Sequence, residues 1–498
     1  MFKWKHFALL FLTSFSTKGQ PLELEGLISF SDSVLKVEVV HEWNSKNFFV
    51  VTSSQENRLD WKFFHYAPSG TLLHQVHLRR PEAEQILHTK AYQNFLFVLS
   101  SNSEKQYTIR IWQVESDIIE HRYENNLRLS LDFFEILSDE IFLLAGEIRG
   151  RPAAILFLPT QQPDVRVLPM INQIEGKIIE TYSNPQEGLI GIGMKGNGGQ
   201  ARFKSFYFRF RNDASLISQH VFQESYQFTI HSFKTALLEE KQTWLVAHYG
   251  IDRSGNTQGI CLIDLQKEKV PTFYPCDFSE WKLAFAHYSP KAIEKLQAKI
   301  EKFQKKGKTY PIGGRFLLHT PRLLDTVIYV SGEFYEFARG NVTGYRYTPY
   351  PARTQLNLTY WDGNPLYAPL PPTQYQPDIY RYQQFLIAAF NTSGKKIWDN
   401  QLLLKEDVSL ELKPHTTAVF KNDSLCIFQK TEKEIRYVFT HINTFQPAHQ
   451  IMSLEDLQTS KNEKLTTLYL QSHHQNQRLI GVFQSKEKKR KWLIAVWR

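Results

Sequence analysis

The sequence predicts an all-β fold, a closed ring of four-stranded sheets, and three observations predict it. A short pattern returns eight times: one or two polar residues, four to six mostly apolar residues, then small or polar ones. The copies begin near Asn47 (NFFVVTSS), Asn94 (NFLFVLSS), Asp139 (DEIFLLAG), Glu187 (EGLIGIGM), Lys241 (KQTWLVAH), Asp325 (DTVIYVSG), Asp423 (DSLCIFQK) and Asn476 (NQRLIGVFQ). Their spacing is mostly 45 to 54 residues, the range in which each repeat is one four-stranded unit. Helical signal is scarce, and Phe, Tyr, Trp, Val, Ile and Thr crowd into short runs bounded by turn formers, as strands require.

Each repeat continues with a second apolar run, for example LDWKFFHYA from Leu59, QYTIRIWQV from Gln106 and WLIAVWR from Trp492. A turn and a fourth strand follow, as in Pro68-Ser69-Gly70 before TLLHQVHL or Ser393-Gly394 before KKIWDNQLL. The eighth repeat ends at Arg498 with no fourth strand, while LELEGLIS, Leu22 to Ser29, has no repeat of its own. The N-terminal strand is therefore expected to complete the last sheet and remove an open edge. This arrangement resembles the β-propeller superfamily in architecture; the resemblance implies eight four-stranded blades, with seven as the alternative.

The chain starts with Lys3 and Lys5, an apolar run from Phe7 to Phe15, and Ser16 to Gln20, which reads as a cleaved signal over residues 1–19. The propeller domain then covers 20–498. No segment approaches the roughly 20 apolar residues of a membrane helix, so no transmembrane segment is expected. The expected location is outside the cytoplasm: periplasm, cell surface or medium of a bacterium. Three cysteines, Cys261, Cys276 and Cys426, make no disulfide framework, though the first two could pair if their register allows. Net charge is +9, near +6 without the leader. The excess sits in Lys486 to Lys491 and in seven lysines between Lys291 and Lys308, which solvated turns and a helix face explain, so nucleic acid is not an expected partner.

Two insertions depart from the repeat, both in the sixth blade. The first, 277–314, contains the one convincing helix: Ser289 as cap, Pro290 in the first turn, Gly307 at the end, and an apolar stripe of Ile293, Leu296, Ile300 and Phe303. The second, 333–383, holds nine of the 23 tyrosines and seven prolines. Tyrosine and arginine on a stiffened path suit recognition, which nominates Tyr345, Arg346, Tyr347, Tyr350, Arg353, Tyr360 and Trp361 as binding residues. One insertion lies between blades and the other joins second and third strands, so both should emerge on one face of the ring.

Specific chemistry is thinly signalled. Glu333, Glu336 and Asp362 flank the aromatic segment and are the weak candidates for a carboxylate pair of the glycoside-cleaving kind. Ordinary ion pairs with Arg339 or Arg346 compete with that reading. Gly196, Gly198 and Gly199 precede a strand rather than a helix, which removes the phosphate-loop reading. No metal spacing and no nucleophile motif is present. SGKKIWDN, Ser393 to Asn400, resembles the turn and tryptophan of quinoprotein-type propellers but occurs once, and no cofactor is assigned.

The function expected from the sequence is a binding or scaffold module working through the face that the insertions cover, toward carbohydrate, peptide or a cell-surface protein. The alternatives are an extracytoplasmic glycan-acting hydrolase or lyase and a structural envelope protein.

Overall fold

In the computed structural model, each of the eight recurring runs is the second strand of an antiparallel sheet. The structure describes residues 24–497 apart from 344–373, 376–378, 454–464 and shorter stretches in turns and connections. The first sheet shows the plan: Leu35–Trp43, Asn47–Ser54, Asp60–Tyr66 and Leu72–Arg79 lie in that order, each hydrogen-bonded to the next. Seven further sheets repeat it, beginning at Gln85, Leu129, Gly176, Thr229, Arg315, Thr416 and Leu465. The chain is an eight-bladed β-propeller.

The last blade is completed as expected. Leu24–Phe30 pairs antiparallel with Trp492–Trp497, with Leu27 opposite Ala495 and Phe30 opposite Trp492. Ile28 and Phe30 are buried in a cluster with Val50, Phe64 and Ile480, so the closing strand is also glued to the first blade. Burying two such side chains contributes about 1.5–3 kcal/mol each.

Blades pack face to face, which is why the second and third strands read as unbroken apolar runs rather than alternating ones. Phe95–Ser101 and Tyr107–Gln113 are buried almost throughout, whereas the outer strand Leu72–Arg79 alternates between exposed and half-buried positions. In the sixth blade the two faces separate cleanly. Phe316, Ile328, Phe334 and Phe390 pack toward the fifth blade, while Tyr335, Phe385 and Ile387 pack toward Leu425 and Ile427 of the seventh.

The first strands of neighbouring blades lie against one another around the axis. In six of the eight blades this inner strand shifts register, at Val37/Val39, Ile86/His88, Leu131/Phe133, Ile178/Glu180, Ile230/Ser232 and Thr467/Tyr469, with a second shift at Ile136/Ser138 in the third blade and at Thr235/Leu237 in the fifth. Such a bulge sharpens the twist of a strand and re-aims its side chains. The sixth blade instead breaks its inner strand into Arg315–Leu318 and Arg322–Leu324.

The helix runs over Pro290–Gln304. Ser289 stands at its cap, but its side chain makes no capping bond; its carbonyl accepts from Ala292 and Ile293. Ile300 is buried, Leu296 packs against the cluster between the fifth and sixth blades, and Phe303 meets Tyr310 edge-on at 5.1 Å. The apolar stripe is thus used on the ring itself. Gly307 lies outside the described residues.

Cys261 and Cys276 do not pair: Cys276 stands opposite Ile260 and Cys261 opposite Pro275, so the two thiols point to different faces of the sheet. All three cysteines are buried thiols. Among the described residues, no helix is long and apolar enough to cross a membrane.

Candidate functional site

The second and third strands of the sixth blade run on as Val327–Ala338 and Ile379–Asn391, and their ladder continues to the pair Ala338 and Ile379. A short extension pairs Val342 with Tyr375 and Thr343 with Gln374. Both ends of the segment 333–383 are therefore strand, because Phe337 and Tyr380 pack across the pair at 5.3 Å and Tyr335 meets Tyr380 at 5.9 Å and Tyr382 at 6.0 Å. The Arg315 guanidinium lies 4.6 Å over the Phe337 ring. Burial pushes the Tyr335 phenol up, opposed by its bond to Arg315.

The helix-bearing connection reaches the same hairpin. Phe278, just after the fifth blade, packs on Phe316 at 5.4 Å and Phe334 at 5.1 Å. Tyr288, at the start of the helix, has its phenol raised by burial and by the charge of Glu336. Arg315 and Phe337 complete an aromatic wall beside these contacts.

Glu333 is fully buried. Its carboxylate accepts from the backbone N–H of His415 at 2.9 Å and of Thr416 at 2.6 Å, and from the Thr416 hydroxyl at 2.5 Å; His319 Nε2 stands 3.6 Å away. It is a joint between the sixth and seventh blades. Glu336 is exposed at the rising end of the hairpin. Asp362, Tyr345, Arg346, Tyr347, Tyr350, Arg353, Tyr360 and Trp361 lie outside the described residues.

A second constellation, unread from the sequence, surrounds the axis on the second to fifth blades. Glu135 accepts from Lys90 on one side and from Thr181 at 3.0 Å and Ser183 at 3.2 Å on the other. Glu180 accepts from Lys234 at 2.5 Å and from the Thr235 amide at 3.3 Å. Burial pushes the Glu180 carboxyl up against the pull of Lys234, and burial followed by these two carboxylates raises Tyr182. Each acid is occupied by a lysine of a neighbouring inner strand, so the belt ties four blades together around the channel. Lys90, Glu135 and Ser183 each stand four residues before the start of a recurring run, at Asn94, Asp139 and Glu187, a shared position that the spacing shows without showing the bonds between them. Among the described residues no cluster of His, Cys, Asp and Glu has the makings of a metal site.

No protein-family model and no curated protein matches the chain. Among solved structures it is similar to one described as the Dos1 propeller, at 9% identity and a TM-score of 0.46, with 95% of each chain covered. It is similar to a eukaryotic initiation factor structure at 8% identity and a TM-score of 0.41, over 94% of this chain and 91% of that one. A prolyl endopeptidase structure matches at 9% identity and a TM-score of 0.41; this chain aligns over 93% of its length but spans only 54% of the peptidase.

Proposed function

We propose that the chain is an exported binding module whose recognition surface is the face from which the sixth-blade hairpin rises. The observation that carries this reading is the prolonged ladder from Val327–Ala338 to Ile379–Asn391. It holds the Tyr-, Pro- and Arg-rich segment 344–373 on a paired strand stalk backed by Tyr335, Phe337, Tyr380 and Arg315. Rigid scaffolds carrying aromatic loops are a recurrent way to build recognition surfaces. A glycan or an extended peptide suits Tyr345, Tyr347, Tyr360 and Trp361, which offer flat apolar area with hydroxyls, beside Arg346 and Arg353.

Binding is favoured over hydrolysis because Glu333, one of the three acids nominated for glycan chemistry, is committed to the blade joint. The test is a glycan and peptide array probed with the chain from residue 20. Tyr347→Ala and Trp361→Ala are expected to weaken the captured ligand at least tenfold without lowering the thermal midpoint. Unchanged capture by both variants contradicts the reading.

A further inference from the structure

At the end of the ring opposite the sixth-blade insertions, a cavity of about 410 Å³ opens between the fourth and fifth blades, lined by Glu187, Leu189, Arg211, Glu239, Glu240 and Lys241. Two of its three rim acids are occupied: Glu240 pairs with Arg211 at 2.7 Å, and Glu187 accepts from the Glu240 amide at 2.8 Å. Behind the rim stands Arg209, fully buried. Its Nη2 donates to the backbone carbonyls of Glu239 and Glu240, residues of the cavity wall.

Five buried polar atoms at this joint have no hydrogen-bond partner among the described residues: Arg209 Nε and Nη1, Ser218 Oγ, His220 Nε2 and Thr243 Oγ1. The register brings them to facing sides. Arg209 stands opposite Ser218 and Tyr207 opposite His220, and Tyr207 packs on Phe233 of the fifth blade at 6.1 Å. Thr243 belongs to the row of Leu245 and Ala247, which packs back against Tyr207. Burial, followed by the Arg209 charge, lowers His220, so that ring is neutral and keeps one N–H to give.

All four side chains can donate, and among the described residues no carboxylate pairs with the guanidinium. Glu240 and Glu187 act on Arg209 through their charge from the rim, without an ion pair to it among the described residues, and the orphaned buried donors behind them are costly. We propose that the joint between the fourth and fifth blades binds a small anion of chloride or carboxylate size, held by Arg209, Ser218, His220 and Thr243, with the rim cavity as its entrance. The anion is either a free ion or the carboxylate end of a larger ligand filling the cavity.

The test measures thermal midpoints at constant ionic strength while chloride or acetate replaces a bulky sulfonate. Binding to the folded state alone gives a saturating rise of several degrees. A rise with chloride, with or without acetate, assigns a free ion; a rise with acetate only assigns the carboxylate of an organic ligand. The rise is expected to vanish in Arg209→Met and, should that variant not fold, in the Ser218→Ala, Thr243→Val double variant. In bromide-soaked crystals an anomalous peak is expected within hydrogen-bond reach of Arg209. Midpoints that ignore the identity of the anion, or a joint filled by water alone, overturn the proposal.

Discussion

Glu333 and Thr416 are joined twice across a blade boundary, the carboxylate accepting from the backbone amide at 2.6 Å and from the side-chain hydroxyl at 2.5 Å. A residue that sequence reasoning placed among possible catalytic acids thus anchors Thr416, the first residue of the next blade's first strand. Replacing it with alanine leaves the His415 and Thr416 amides buried without an acceptor, at about 1–3 kcal/mol for each orphaned group. Glu333→Ala is expected to lower the urea midpoint substantially, and Glu333→Gln, which keeps an acceptor, by clearly less. Equal midpoints for the two variants contradict the joint.

Closure by the N-terminal strand makes a second prediction. Phe30 meets Phe64 at 5.5 Å and Tyr66 at 6.3 Å. Phe30→Ala opens a cavity at the seam and is expected to cost about 3–5 kcal/mol, with faster hydrogen exchange concentrated in Leu24–Phe30 and Trp492–Trp497. Exchange that rises uniformly over the ring argues against a seam.

The pH dependence is set partly by His248, whose imidazole burial holds down to about 3, with His231 and Lys195 adding to the effect. Ser232 Oγ lies 3.0 Å from its Nδ1, and the His231 and Phe316 rings stand at 5.4 and 6.2 Å. The folded state keeps this ring neutral while the unfolded chain protonates it below its ordinary value of 6.5. Stability from this group is full above that value and falls as pH drops toward 3, by at most about 1.4 kcal/mol per pH unit. Glu180, raised by burial, works in the opposite sense, so the contribution is read by difference. His248→Gln is expected to show a shallower loss between pH 6.5 and 4 than the parent; parallel curves contradict it.

The thiols give a direct check on register. Cys261 is pushed up to about 12 by burial, and Cys276 is raised by burial although the Trp281 indole N–H donates to its sulfur at 3.2 Å. A thiol-reactive dye at pH 8 is expected to label none of the three in the folded protein and all three in guanidinium, with identical mobility under reducing and non-reducing conditions. A disulfide between Cys261 and Cys276 contradicts the pairing of Cys276 with Ile260.

Much of this architecture was legible because blade packing writes itself into composition. A strand covered on both faces must be apolar throughout, so NFLFVLSS and DEIFLLAG announced second strands wherever they fell. The closing strand was legible by subtraction, Leu22 to Ser29 lacking a repeat and the last repeat lacking a strand. What escaped was pairwise. Glu135 looks like any surface acid in sequence, and only the approach of inner strands shows Lys90 on one side and Thr181 on the other. Likewise Glu333 was read with the aromatic segment beside it, whereas its partners stand more than 80 residues away, on the next blade. The helix was found by its stripe, whose single apolar face favoured packing on the ring's own surface, where Ile300 is spent.

The most direct test of the sixth-blade face replaces residues 344–373 by a short Gly-Asn turn between the paired strands Val342–Thr343 and Gln374–Tyr375. The account predicts that this variant keeps the parent's thermal midpoint and circular dichroism yet loses capture of the glycan or peptide that the parent retains. Undiminished capture by the folded variant, or collapse of the ring without the segment, contradicts it.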